Sequence, residues 1–383
     1  MAFMNDLYLS RKTMAAFAVI GLAWASYFAQ MPVIKANLGV SDAVYGVVVL
    51  VSALGAVRAM FPAPLCERFA GPFSLVVGAL AICLGFLWVG VAPGVIGFIL
   101  ALGLACAGSG IIDVLANARI AGIEAHNRRP LMNLNHSFYS FCYAGSALLT
   151  GAAREAGWTP IGVFSTLMIA ILILCFVMYE SDQHADTEDE ARNIGNLPTA
   201  LVWIVGLIVM MAFLAESSTE GWSALHIERS LGGGAGEGAF GPAVLGLMMG
   251  FGRLGGHVVS KFVPDLILMA FACILSAVGI GLAAGATSIQ MAYVGFALGG
   301  LGISVVAPLA LAILGRMVPN KLRTLAISRA SVLGYCAFFM GPALMGFVSE
   351  GLGLAMSFFL ISVLLVVVAC ILIPMLAHRI KNA

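Results

Sequence analysis

A chain of 383 residues that is 61% hydrophobic and 10% charged is a membrane protein, because soluble domains carry about 25% charged residues. Its net charge of +1 leaves no basic stripe to meet phosphate, which argues against a nucleic-acid partner. The eight cysteines stand singly, mostly in apolar runs, and read as small buried hydrophobes with no disulfide framework.

A membrane span needs about 20 mainly apolar residues. Twelve runs qualify: 13–36, 42–62, 72–92, 94–118, 130–153, 160–179, 199–219, 239–262, 264–285, 287–315, 323–348 and 354–377. The first follows Arg11 and Lys12 but is too long for a signal core and lacks a small-x-small cleavage site, so it reads as a retained span. The connections are short apart from an acidic stretch holding Asp182, Asp186, Glu188, Asp189 and Glu190. With the N-terminus inside, only Lys35, Arg154 and Arg229 of the 19 Lys and Arg fall on the outer side. That bias places both termini in the cytoplasm. An internal repeat runs in one register: Arg68-Phe69 recurs as Lys261-Phe262, Asn127-Arg128 as Asn320-Lys321, and His136 as Arg329. The expected fold is therefore all-α, with twelve transmembrane helices in two pseudo-symmetric six-helix bundles at 1–180 and 199–383, joined by an acidic cytoplasmic linker at 181–198.

Polar groups inside apolar runs mark the candidate site. An ionisable side chain in hydrocarbon costs at least about 2.5 kcal/mol, so it faces protein or a wet cavity. Asp113 and Asn117 lie on the fourth span, and Asn133, Asn135 and His136 on the fifth. Asp113 and His136 stand at similar depths, where a carboxyl and an imidazole could share a proton. The bland alternative is a structural polar pair between two helices. Trp24, Tyr27 and Gln30 lie near one face of the first span, and Tyr139 and Tyr143 stack above His136 at i+3 and i+7. Together they could clasp a ring-shaped solute, although aromatic residues at helical spacing also serve simple packing. Arg329 could pair with Asp113 or with an anionic cargo group, or extend to the membrane surface. Glu216 is read as closing the seventh span on the outer side, there to bind cargo or gate, or merely to end a solvated helix.

Soft metal ligands occur in three pairs, Met269 with Cys273, Cys336 with Met340, and Cys175 with Met178. Such ligands suit Cu(I), but a Met-rich helical chain yields pairs of this kind by chance, and no metal site is inferred. The sequence contains no G-x-x-x-x-G-K-[ST], G-x-S-x-G or H-E-x-x-H, so neither ATP use nor an enzyme is expected. No cofactor is expected either.

Two loop segments, LCERFAG (Leu65 to Gly71) and GRLGGHVVSKF (Gly252 to Phe262), resemble the Gly-rich gating loops of the major facilitator superfamily. Glu67 stands where that family has Asp, and Ser260 replaces the acid of the second copy. The resemblance makes Glu67, Arg68, Arg253 and Lys261 candidate gating residues. IIDVLANA, NHSFYSFCYAG, AESSTEGW, GRLGG and GYCAFFMGPALMGF are similar to the YbjJ-like branch, neighbours of the fucose-type sugar permeases. The branch includes transporters of sugars, riboflavin and copper. By that resemblance Asp113 takes the role of the proton-coupling acid. The Gly-Pro signature of drug antiporters is missing from the fifth span, which points to uptake. The expectation is a monomeric, multi-pass importer of the bacterial inner membrane, coupled to H+, with riboflavin as first cargo. Sugar and copper uptake, or a non-transporting sensor on the same scaffold, are the alternatives.

Overall fold

The computed structural model describes residues 2–60, 63–129, 131–179 and 198–381. The acidic linker, apart from Pro198, lies outside them. In lipid no water is at hand to satisfy backbone N–H and C=O groups, so long apolar runs must bond within themselves as helices. Accordingly, the described residues contain helices and no strand.

In chain order the helices are α1 (Ala2–Leu38), α2 (Asp42–Met60), α3 (Ala63–Ala70), α4 (Ser74–Val89), α5 (Gly94–Asn127), α6 (Met132–Glu155), α7 (Pro160–Met178), α8 (Thr199–Leu225), α9 (Ala235–Val259), α10 (Asp265–Ala284), α11 (Ile289–Ile303), α12 (Val306–Met317), α13 (Asn320–Leu352), α14 (Leu354–Val367) and α15 (Ile373–Lys381). A 3-10 turn joins α3 to α4, a π-turn joins α14 to α15, and α11 and α12 are parted by a two-residue kink. Counting each of these as one pass gives the twelve expected. Twelve passes bring both termini to one end, here called the terminal end, and the opposite end is called the far end.

Several helices overrun the apolar stretches. The largest difference is at α8, which continues past Glu216 and ends in a π-turn over His226–Ser230. Glu216 is therefore well inside the pass and does not close it. The polar run misled the sequence reading because Ser217, Ser218, Thr219 and Glu220 are all buried against protein. Among the described residues, nine helices are long and apolar enough to cross a membrane, and the Asp42–Gly55 part of α2 is apolar but shorter. α6 and α9 are long enough but fall below that apolarity, α6 through its Asn, His and Ser residues and α9 through its glycines.

The same packing scheme occurs twice. In the first half α1 packs on α6, α2 on α5, and α4 on α5 and α7. In the second, α8 packs on α13, α9 on α11, and α10 on α11 and α14. Two crossed seams, α6 on α9 and α2 on α13, join the halves. The α2–α13 seam is close because Gly46 has no side chain. A Cβ there would stand 2.4 Å from the Pro342 carbonyl oxygen, so α2 sits directly on the backbone of α13.

Polar contacts between the halves gather at the far end. Arg154 of α6 forks onto Glu228, at 2.7 and 3.0 Å. Asp42 accepts from Arg229 at 2.9 and 2.5 Å and from Ser349, and pairs with Lys35 at 2.8 Å. The Asp42 backbone N–H donates to Glu350 at 2.9 Å, and Gly236 N–H to Glu155 at 3.2 Å. At the terminal end, Asp6 pairs with Arg129, Glu67 with Arg119, and Asp265 with Arg316, each inside one half.

Candidate functional site

The site is built on α5 and α6, the two helices whose apolar runs are broken by polar side chains. Asp113 and Asn117 are one turn apart on α5 and so lie on one face. Asn117 Nδ2 donates to the Asp113 carbonyl at 2.8 Å and to Asp113 Oδ1 at 3.0 Å. The other carboxyl oxygen reaches across the halves, since Tyr335 of α13 donates its hydroxyl to Asp113 Oδ2 at 2.5 Å. Asn117 Oδ1 lies 3.3 Å from His136 Nε2, and the His136 ring packs on Phe17 at 4.6 Å. A polar chain thus runs Tyr335, Asp113, Asn117, His136. Asp113 and His136 are joined through the Asn117 amide, with no direct bond between them. Asp113 has no ion-pair partner among the described residues.

A second cluster centres on Arg253. It belongs to the body of α9, not to a loop, and it is 12% exposed. Its guanidinium donates to Ser140 of α6 at 2.5 Å, to the His136 carbonyl at 3.5 Å and to Glu216 of α8 at 3.2 Å. One buried cation therefore ties both halves at mid-depth. Charge-assisted hydrogen bonds of this kind are roughly twice as strong as neutral ones.

Aromatic rings border these clusters. Trp24 and Phe28 of α1 lie 5.4 Å apart, and Tyr139 and Tyr143 of α6 lie 6.0 Å apart. The four rings rest on a floor of small residues, Ala25, Ala29, Ala147, Ala239 and Ala243. Gly246 of α9 admits the Tyr143 ring, for a Cβ there would be 2.7 Å from its Cδ1. Trp24 Nε1 is anchored on Ser109 at 2.9 Å. Trp24, Phe28 and Tyr139 are half-buried, so part of each side chain stays uncovered.

The remaining candidates lie elsewhere. Tyr27 turns into the first half, stacking on Phe86 and meeting the Tyr45 hydroxyl at 2.7 Å. Asn135 is wholly buried between α1 and α6 and accepts from Thr13 at 2.8 Å. Gln30 is wholly buried, with both amide atoms unpartnered among the described residues. Arg329 is exposed and makes no hydrogen bond or ion pair among the described residues. Of the other gating candidates, Glu67 and Arg68 lie on helix α3 and not in a loop; Glu67 binds Arg119 at 3.0 Å, which also reaches Ser74 at 2.7 Å, while Arg68 and the turn residue Lys261 are exposed. No group of three or more His, Cys, Asp or Glu side chains placed to hold a metal ion is found among the described residues. Sequence reasoning missed two contributors. Phe28 was one turn from Trp24 and so available to it, but Tyr335 carries no signal until α13 is laid against α5.

Comparison with known proteins settles the broad class. A family model described as Major Facilitator Superfamily matches residues 13–292. The chain belongs to that superfamily. This superfamily member is 25% identical over 361 residues to an uncharacterized MFS-type transporter of Yersinia pestis, covering 93% of each chain. Among solved structures it is similar to a bacterial homolog of the human lysosomal transporter Spinster in an inward-facing and unoccupied conformation. The TM-score is 0.73 at 15% identity, with 97% of both chains covered. A D-xylose-proton symporter gives a TM-score of 0.70 at 16% identity, also over 97% of each. At these identities the two structures share the fold. The superfamily chain is thus a multi-pass membrane protein of a transporter family.

Proposed function

We propose that this chain is a proton-coupled importer of a small organic nutrient, working by rocking of its two halves about the mid-depth site. The observation that carries the reading is the Tyr335–Asp113 hydrogen bond between the halves. A hydroxyl binds a carboxylate about twice as strongly as it binds a neutral acceptor. Proton uptake by Asp113 therefore loosens a tie between the halves, and proton release restores it. That links the protonation of one residue to the motion that exposes the cargo.

The excess of Lys and Arg at the terminal end supports cytoplasmic termini in a bacterial inner membrane. The far end is then the outer face, held shut by the Asp42 and Arg154 ion pairs. Riboflavin is the first cargo to test, because half-buried Trp24, Phe28 and Tyr139 offer ring faces to a flat solute. The likeness to the YbjJ-like branch supports the same choice, and sugar uptake is the second reading.

Labelled-solute uptake into proteoliposomes with and without a pH gradient tests this. Asp113→Asn is expected to abolish accumulation against a gradient while sparing exchange of cargo across the membrane. Uphill uptake at the normal rate in that variant would overturn the proton role.

A further inference from the structure

Glu220 stands one turn beyond Glu216 on α8 and is only 5% exposed, with its Oε1 wholly buried and unpartnered among the described residues. Tyr143 of α6 is wholly buried, and its hydroxyl also lacks a hydrogen-bond partner among the described residues. Arg253 joins Ser140 of α6 to Glu216 of α8, and Tyr143 and Glu220 each stand one turn beyond those residues on helices that run in the same direction, so the two lie at one level between the halves. Buried polar atoms are almost always satisfied, and leaving a carboxylate oxygen without a donor is costly. Arg253 uses three of its five N–H donors, on Glu216, Ser140 and the His136 carbonyl, and none reaches Glu220 among the described residues. The aromatic wall adjoins the pair. A Cβ on Gly221, the next residue after Glu220, would stand 3.5 Å from the Phe28 ring.

We propose that Glu220 and Tyr143 form a polar subsite that grips a donor-bearing arm of the cargo, a hydroxyl or ammonium group, while the cargo ring lies against Trp24, Phe28 and Tyr139. The assignment rests on the reading of this mid-depth site as the cargo site, and it adds the chemistry that selects among ring compounds. A carboxylate accepts from either kind of donor, and an ammonium also gains from the neighbouring ring faces.

Equilibrium binding to the purified full-length chain, with two matched pairs of probes, tests it. Riboflavin and lumiflavin share a ring, but only the first carries a hydroxylated chain. Tryptamine and 3-ethylindole differ in the ammonium group. The expected result is that at least one donor-bearing probe binds about tenfold more tightly than its partner. Glu220→Gln and Tyr143→Phe should each remove much of that difference and leave the donor-free probe unchanged, with thermal unfolding confirming intact variants. The flavin pair reports a hydroxyl arm and the indole pair an ammonium arm. Equal binding within both pairs, or a difference that survives both substitutions, overturns the subsite yet leaves the aromatic cargo site standing. Failure of all four probes to bind overturns both. Binding of the amine without the flavin removes riboflavin as cargo and retains the subsite.

Discussion

The two ends of the molecule are wired differently. At the far end, Asp42 meets Arg229 and Ser349, and Arg154 meets Glu228, so charged groups of one half close on the other. At the terminal end, the pairs made by Asp6, Glu67 and Asp265 each stay within a half. Contacts of the first kind must break for the far end to open, whereas those of the second kind ride with their half. The position of a salt bridge relative to the α2–α13 and α6–α9 seams, more than its strength, decides whether it weighs on conformation.

Removing charge on either side of that divide sharpens the contrast. Asp42→Asn should have the largest effect. Removing one partner of a buried pair costs roughly 3–5 kcal/mol, of which half-exposed Arg229 regains part in water. A cysteine placed at Ala239, buried at the far-end seam against Gly151, should then react with a membrane-impermeant maleimide at least about tenfold faster. An unchanged rate would mean that Asp42 does not hold this end closed. Gly46→Ala tests the same closure by bulk. Its new methyl group meets the Pro342 carbonyl, and overpacking of about 1–3 kcal/mol should raise labelling about three- to tenfold without lowering the far-end charge. Arg316→Gln, at the exposed terminal-end pair with Asp265, should change stability by less than about 0.5 kcal/mol. Labelling at position 239 should stay at the starting rate, and any increase would break the proposed division between the ends.

Much of the fold could be read along the chain, because a bilayer leaves few options for a 20-residue apolar run. Asp113, Asn117 and His136 stood out for the same reason, as a polar group in such a run has to be hidden. What remained hidden was direction. Tyr27, Asn135 and Tyr139 occur on the same two helices, yet the first two turn into packing with Tyr45 and Thr13 while Tyr139 stays half-buried. A helical period tells which residues share a face but not which neighbour that face meets. Glu220 was obscured differently. The run around it looked like a helix end, and only the continuation of α8 to the π-turn showed a carboxylate deep in the pass.

The modest apolarity of α6 and α9 has a consequence for biogenesis. Each is threaded into the bilayer during synthesis as a segment that hydrocarbon alone welcomes poorly. Each finds shelter chiefly against the other, and their partners are separated by two further crossings and the linker. Translation of the first half must therefore leave α6 waiting, with its Asn, His and Ser side chains shielded by α1 and, at His136, by Asn117 of α5, until α9 emerges to cover it. Truncation before α9 should yield a fragment that quality-control proteases remove quickly.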